Sequence, residues 1–172
     1  SEGFGKRNQN ASPEDTADLL DRIAVLAHDA SIPLSATVTV AFGDPFDGEV
    51  DIARVAELAR RAEAAGACEI ALSDTIGVAT PWHVTRAVEA VREAAPKSRL
   101  RLHFHNTRNT AIANVYAAVE AGVDIIDAST GGIGGCPFAP KATGNVATED
   151  VVYLLERGGY DTGLDLDRLI ET

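Results

Sequence analysis

Apolar positions along this 172-residue chain switch repeatedly between a helical and a strand-like period. Leu20, Ile23, Ala24 and Ala27 fall on one helical face. Ser12, Pro13, Glu14 and Asp15 supply the N-cap, the first-turn proline and the acids that suit a helix start. "PLSATVTVAF" is rich in β-branched residues and predicts a strand from about Leu34 to Phe42, followed by a turn at "GDPFDG". Asp51 opens a second helix with Ile52, Val55, Ala59 and Ala62 inward, which Gly66 ends. "CEIALSDT" is the next strand, and Pro81 starts a helix carrying Val84, Ala87, Val88 and Val91. Arg99 to His105 reads as a third strand, and Ile112, Val115 and Val119 as a helix closed by Gly122. "VDIIDAST" is a fourth strand; a helix over Glu149–Glu156 and a short one at "LDLDRLIE" complete the pattern.

Strands alternating with amphipathic helices imply βαβ units and a parallel sheet, either open and doubly wound or part of a (β/α)8 TIM barrel. No GxGxxG follows the first strand, which counts against a dinucleotide fold. Polar residues recur instead at strand C-termini: Asp74, then His103 and His105, then Ser129 and a glycine-rich loop. Barrel active sites sit at that end. Four strands cannot close an eight-stranded barrel, so the expected architecture is α/β, half of a TIM barrel over residues 1–172. The chain has no methionine and begins Ser1-Glu2-Gly3, which agrees with a piece of something longer.

Composition narrows the partners. Apolar residues make up 45% and charged residues 24%, the balance of a soluble globular domain. A net charge of −11 excludes nucleic acid and anionic membranes as expected partners. Cys68 and Cys136 form no CxxC motif or disulfide framework, so a reducing, cytoplasmic setting is expected.

"RLHFHNTRN" carries the first candidate chemistry. His103 and His105 are two apart in a strand and share a face, as a metal pair would; ordinary hydrogen bonding at a strand end is the alternative. "GGIGGCPFAPKATGN" packs five glycines around Cys136, which reads as a mobile lid bearing an acid or base, or as a connection with a small buried thiol. Asn145 is a turn residue or a hard oxygen donor, and Asp74 a turn cap or a catalytic acid. His28, Trp82 and His83 lie in helices and are read as structural, as is Cys68 at a strand start.

"LSDTIGVATP", "HFHNT" and "GGIGGCPFAPKATGNVATEDVVYLLE" together resemble the second half of the 3-hydroxy-3-methylglutaryl-CoA lyases, and the likeness runs over nearly the whole chain. It implies that this is the C-terminal half of the barrel, strands five to eight. It further implies that His103, His105 and Asn145 hold a divalent cation, Mg2+ or Mn2+ in preference to Zn2+. Cys136 corresponds to the family's loop cysteine, and Asp74 to the aspartate of its DTIG motif. A fourth ligand and a catalytic arginine are expected outside this sequence, which makes the fragment inactive alone. Two departures stand out: Asn106 where many members carry an acid, and Arg108 with Asn109 in place of the usual residues. Arg108 is therefore a candidate for substrate contact.

The implied reaction is a retro-Claisen cleavage of a 3-hydroxyacyl-CoA to acetyl-CoA and a ketoacid, acetoacetate. His103, or the aspartate expected outside this sequence, is the candidate proton acceptor. Asp74 is the catalytic group that holds the hydroxyl or the absent arginine in place, and Cys136 is the proton donor to the enolate. An acyl-CoA substrate and a homo-oligomer at full length follow. The alternatives are an acyl-CoA condensing synthase of the same group and a non-catalytic metal-binding half-barrel.

Overall fold

The computed structural model describes residues 1–139, 142 and 144–171. Its sheet consists of β1 (Leu34–Val38), β2 (Ala67–Asp74), β3 (Arg99–Phe104) and β4 (Ile125–Asp127), all parallel. The connecting helices are α3 (Ile52–Ala64), α4 (Pro81–Ala94) and α5 (Ala111–Glu120). Helices α1 (Glu2–Gln9) and α2 (Pro13–Asp29) precede the sheet, and α6 (Thr148–Arg157) and α7 (Leu166–Ile170) follow it. Strand order is β1-β2-β3-β4, each strand pairing with the next in the chain. A doubly wound sheet needs a reversal of that order and a barrel does not. The order decides for an arc of a barrel.

Successive helices pack side by side, α2 on α3, α3 on α4, α4 on α5 and α5 on α6. They cover Ile70, Leu72, Leu100, Leu102 and Phe104 from the strands, and Val55, Val84, Val88, Val91 and Val115 fill the interface. Burying each such side chain stabilises the fold by roughly 1.5–3 kcal/mol. The opposite strand face carries Ser35, Glu69, Arg101, His103 and Asp127, linked to one another by polar contacts.

The helix starts follow their sequence signals. Ser12 Oγ accepts from the Asp15 N–H and the Asp15 carboxylate accepts from the Ser12 N–H, each at 3.1 Å. Asp51 accepts from the Ala53 N–H at 2.9 Å, and Thr80 from the His83 N–H at 3.4 Å. Three expectations need correction. β1 ends at Val38 rather than Phe42, because Val40 turns to a φ of 50° and bonds sideways. Its N–H donates to Thr75 Oγ1 and the Ala41 N–H to the Ser73 carbonyl, both at 3.0 Å, and these tertiary bonds override β propensity. Ile23 is 42% exposed, and Ala17 and Ala24 form the buried side of α2. Arg54 to Glu14 at 3.0 Å and Arg61 to Asp18 and Asp21, both at 2.6 Å, hold α2 on α3 in that rotation. Cys68 is exposed rather than packed, with its Sγ 3.4 Å from the Leu34 carbonyl.

α1 has no counterpart in the apolar pattern. Its one buried residue is Phe4, which joins Val40, Ala139 and Ala142 in a small apolar cluster with Phe46, Ile76 and Cys136 against it. Gly3 permits this docking: a Cβ there would meet Asp47 Oδ1 at 2.7 Å and Phe46 Cβ at 2.9 Å.

Candidate active site

β3 delivers His103 as its last residue but one, and His105 follows directly after the strand. The His105 N–H donates to the Asp74 carbonyl at 3.3 Å, which keeps the backbone extended beyond Phe104. The two imidazoles do share a face: their centroids are 5.2 Å apart and their planes 68° from parallel. Asn145 joins them through a backbone bridge to His105.

The glycine-rich loop has a fixed neck. Asn145 N–H donates to the Gly132 carbonyl at 3.0 Å, Gly144 N–H to Gly134 at 2.8 Å, and Val146 N–H to Phe104 at 3.0 Å. Both Glu149 oxygens accept from the Gly131 N–H, at 2.9 and 3.0 Å. The Asn145 Nδ2 donates to the Ile133 carbonyl at 2.9 Å, which fixes the amide and aims its Oδ1 away from that carbonyl. Within the loop segment singled out in the sequence, Pro140, Lys141 and Thr143 lie outside the described residues.

Two polar atoms here are buried without a hydrogen-bond partner, His105 Nδ1 and Asn145 Oδ1. Such orphans are costly unless something binds them. Burial holds the His105 imidazole below its usual pKa, and the neighbouring His103 adds to this. Burial likewise lowers His103, with Asp127 and Asn145 opposing and Arg101 reinforcing. Neutral imidazoles keep the lone pair that a metal requires. Among the described residues no three His, Cys, Asp or Glu side chains converge as a metal cluster. The donors gathered are two imidazoles and one amide oxygen, and the orphaned atoms fit a divalent cation.

Asp74 is 1% exposed. Its Oδ1 accepts from the Val78 N–H at 2.8 Å and its Oδ2 from the Ala79 N–H at 3.0 Å. Burial pushes its carboxyl up to about 6, against the pull of those bonds and the Arg108 charge. Arg108 folds onto the same turn, Nη1 donating to the Ile76 and Gly77 carbonyls at 2.9 and 3.0 Å. Cys136 is half-buried against the α1 cluster, and its carbonyl accepts from the Ala139 N–H at 3.1 Å. The structure thus brings His103, His105 and Asn145 together, places Asp74 and Arg108 on one neighbouring turn, and seats Cys136 against the cluster around Phe4.

Two residues were not singled out from the sequence. Asp127 lies level with His103 in the sheet register, with its Oδ2 3.6 Å from His103 Nδ1. Its signal was an acid at the C-terminal end of "VDIID", next in line after the polar strand ends already noted. Glu149, read only as the start of a helix, anchors the loop neck.

Parallel strands in chain order define an arc of an α/β barrel, and these polar side chains lie at the C-terminal end of its strands, where barrel active sites sit. The chain belongs to the HMGL-like family, which matches residues 1–172. It is 42% identical over 171 residues to the mitochondrial hydroxymethylglutaryl-CoA lyase of Homo sapiens, covering 99% of this chain and 53% of that protein. The cytoplasmic 3-hydroxy-3-methylglutaryl-CoA lyase of Homo sapiens is 38% identical over 171 residues, covering 99% and 46%. The crystal structure of hydroxymethylglutaryl-CoA lyase from Pseudomonas aeruginosa superposes with a TM-score of 0.92 at 40% identity, covering 99% of this chain and 57% of that one. The chain spans about half the length of these relatives.

Proposed function

We propose that this chain forms the C-terminal half of a single TIM-barrel domain whose complete form is a carbon–carbon lyase. The substrate is a 3-hydroxyacyl-CoA of the 3-hydroxy-3-methylglutaryl type, and the products are acetyl-CoA and acetoacetate. The observation that carries this reading is the convergence of His103, His105 and Asn145, two of them with orphaned buried atoms, at the catalytic end of a barrel arc. The names of the related lyases point to the same chemistry. Placement in the cytoplasm belongs to the same proposal, although the related human lyases carry both mitochondrial and cytoplasmic names. No helix among the described residues is long and apolar enough to cross a membrane.

His103, His105 and Asn145 would hold one divalent cation, Mg2+ or Mn2+. When bound, such an ion acidifies and orients a substrate hydroxyl. Asp127 faces Nδ1 of His103, so Nε2 is the atom this side chain offers to the site. Asn145 contributes its oxygen because its nitrogen is committed to Ile133. Asp74 titrates near neutrality, where a group can both hold and release a proton, and it shapes the turn on which Arg108 rests. Cys136, on the loop beyond the fixed neck, delivers the proton to the departing enolate carbon. A thiol is a far stronger acid than an alcohol, so it suits proton delivery to carbon.

The test is cleavage of 3-hydroxy-3-methylglutaryl-CoA by the protein at full length. Chelation should abolish release of acetyl-CoA, and Mg2+ or Mn2+ should restore it. Undiminished cleavage by metal-free protein would refute the assignment.

A further inference from the structure

Below the histidine pair, a run of polar contacts crosses all four strands on the inward face of the sheet. Ser35 Oγ on β1 donates to Glu69 Oε1 on β2 at 2.7 Å. Arg101 on β3 reaches Glu69 with its Nε at 3.3 Å and Asp127 on β4 with its Nη1 at 3.6 Å. Its Nη2 also lies 3.5 Å from Ser35 Oγ. Asp127 then turns its other oxygen to His103 Nδ1, at 3.6 Å. The register explains how one guanidinium serves two carboxylates. Glu69 lies level with Arg99, and Asp127 level with His103, so Arg101 sits one inward step above the first and one below the second.

These side chains are sheltered: Glu69 is 19%, Arg101 28% and Asp127 35% exposed. Sheltered ion pairs are screened less than surface pairs, yet they seldom add net stability over apolar packing. Their effect is felt in orientation. Histidines that bind metals commonly donate their other ring N–H to a carboxylate, which sets the tautomer and the ring plane. Asp127 needs to approach by only about 0.7 Å to make that bond.

We propose that Arg101 is a positioning residue for the metal site. Clamped to Glu69, it holds Asp127 beside His103 Nδ1, and Asp127 in turn fixes the imidazole with Nε2 presented to the cation. The inference rests on the metal reading given above, and it concerns residues that take no direct part in binding the ion.

The experiment is a Mn2+ titration of the full-length protein, read by the electron paramagnetic resonance of free Mn2+, on Arg101→Met, Asp127→Asn and the double variant. Asp127→Asn should weaken Mn2+ binding roughly 10–100-fold, the range for loss of such a partner. Arg101→Met should weaken it several-fold, and the double variant should bind no more weakly than Asp127→Asn alone, because both act along one path. Arg101→Lys, which keeps the charge, should recover part of the loss. Glu69→Gln, which frees the far end of the clamp, gives an independent readout if Arg101→Met does not fold, and it too should weaken Mn2+ binding. A merely structural Arg101 would lower the melting temperature and leave the Mn2+ affinity untouched. Parent protein that binds no Mn2+ would overturn the metal reading. Parent that binds it, with unchanged affinity in Arg101→Met or Glu69→Gln or with fully additive losses in the double variant, would overturn the clamp alone.

Discussion

Gly134→Ala separates a general loss of stability from a specific injury to the site. Gly134 has a φ of 121°, outside the range that side chains accept, and a Cβ there would lie 2.6 Å from Asn145 Nδ2. The amide cannot retreat and still keep its 2.9 Å bond to the Ile133 carbonyl. Losing that bond costs about 0.5–1.5 kcal/mol. Backbone strain adds about 1–3 kcal/mol. Gly131→Ala is the control: its φ is 63°, and its Cβ would meet nothing closer than Ile133 Cγ1 at 3.7 Å. It should cost only the left-handed strain, about 1–2 kcal/mol. Thermal melts should therefore show both variants destabilised, Gly134→Ala the more. Mn2+ titration should part them clearly, because only Gly134→Ala displaces the Asn145 oxygen; its affinity should fall by about tenfold or more, and that of Gly131→Ala should stay near the parent. Parental Mn2+ affinity in Gly134→Ala would refute the role given to Asn145.

Cys136→Ser should leave Mn2+ binding unchanged and lower kcat by about 10²–10⁴-fold with little change in KM, since serine is a far weaker acid. A normal kcat would reduce Cys136 to a packing residue. Asp74 carries a pH signature: its pKa is raised from 3.8 to about 6, so the folded state holds a proton that the unfolded chain releases. The stability this contributes is fully present below about pH 4 and lost as pH rises through about 6, a span worth about 3 kcal/mol. Denaturant unfolding of the parent and Asp74→Asn at several pH values should show that slope only in the parent; parallel slopes would sink the idea. Expressed by itself, residues 1–172 should associate or misfold, because a barrel arc leaves unpaired strand edges. A monomer with a cooperative melt in ultracentrifugation and calorimetry would count against the half-barrel.

Local chemistry made much of the molecule legible. Ser12 and Asp51 mark helix starts through bonds made within a few residues, and Pro81 marks one through its fixed φ at the first helical position. The same-face placement of His103 and His105 follows from strand period alone. Long-range bonds hid the rest. Val40 leaves the strand because Thr75, 35 residues away, captures its N–H. α1 forms around two glycines because Phe4 docks on residues from distant loops. Asp127 gains its meaning only when β4 is set beside β3, and the apparent freedom of five glycines is cancelled by backbone bonds that tie Gly132 and Gly134 to Asn145 and Gly144. No local period encodes those pairings.

The most direct measurement is an anomalous difference map from crystals of the full-length protein grown with Mn2+. A single strong peak is expected within coordination distance of one imidazole nitrogen each from His103 and His105 and of Asn145 Oδ1. A map with no peak there, or with Mn2+ bound only elsewhere, would contradict the claim that these three residues form the metal-binding part of the site.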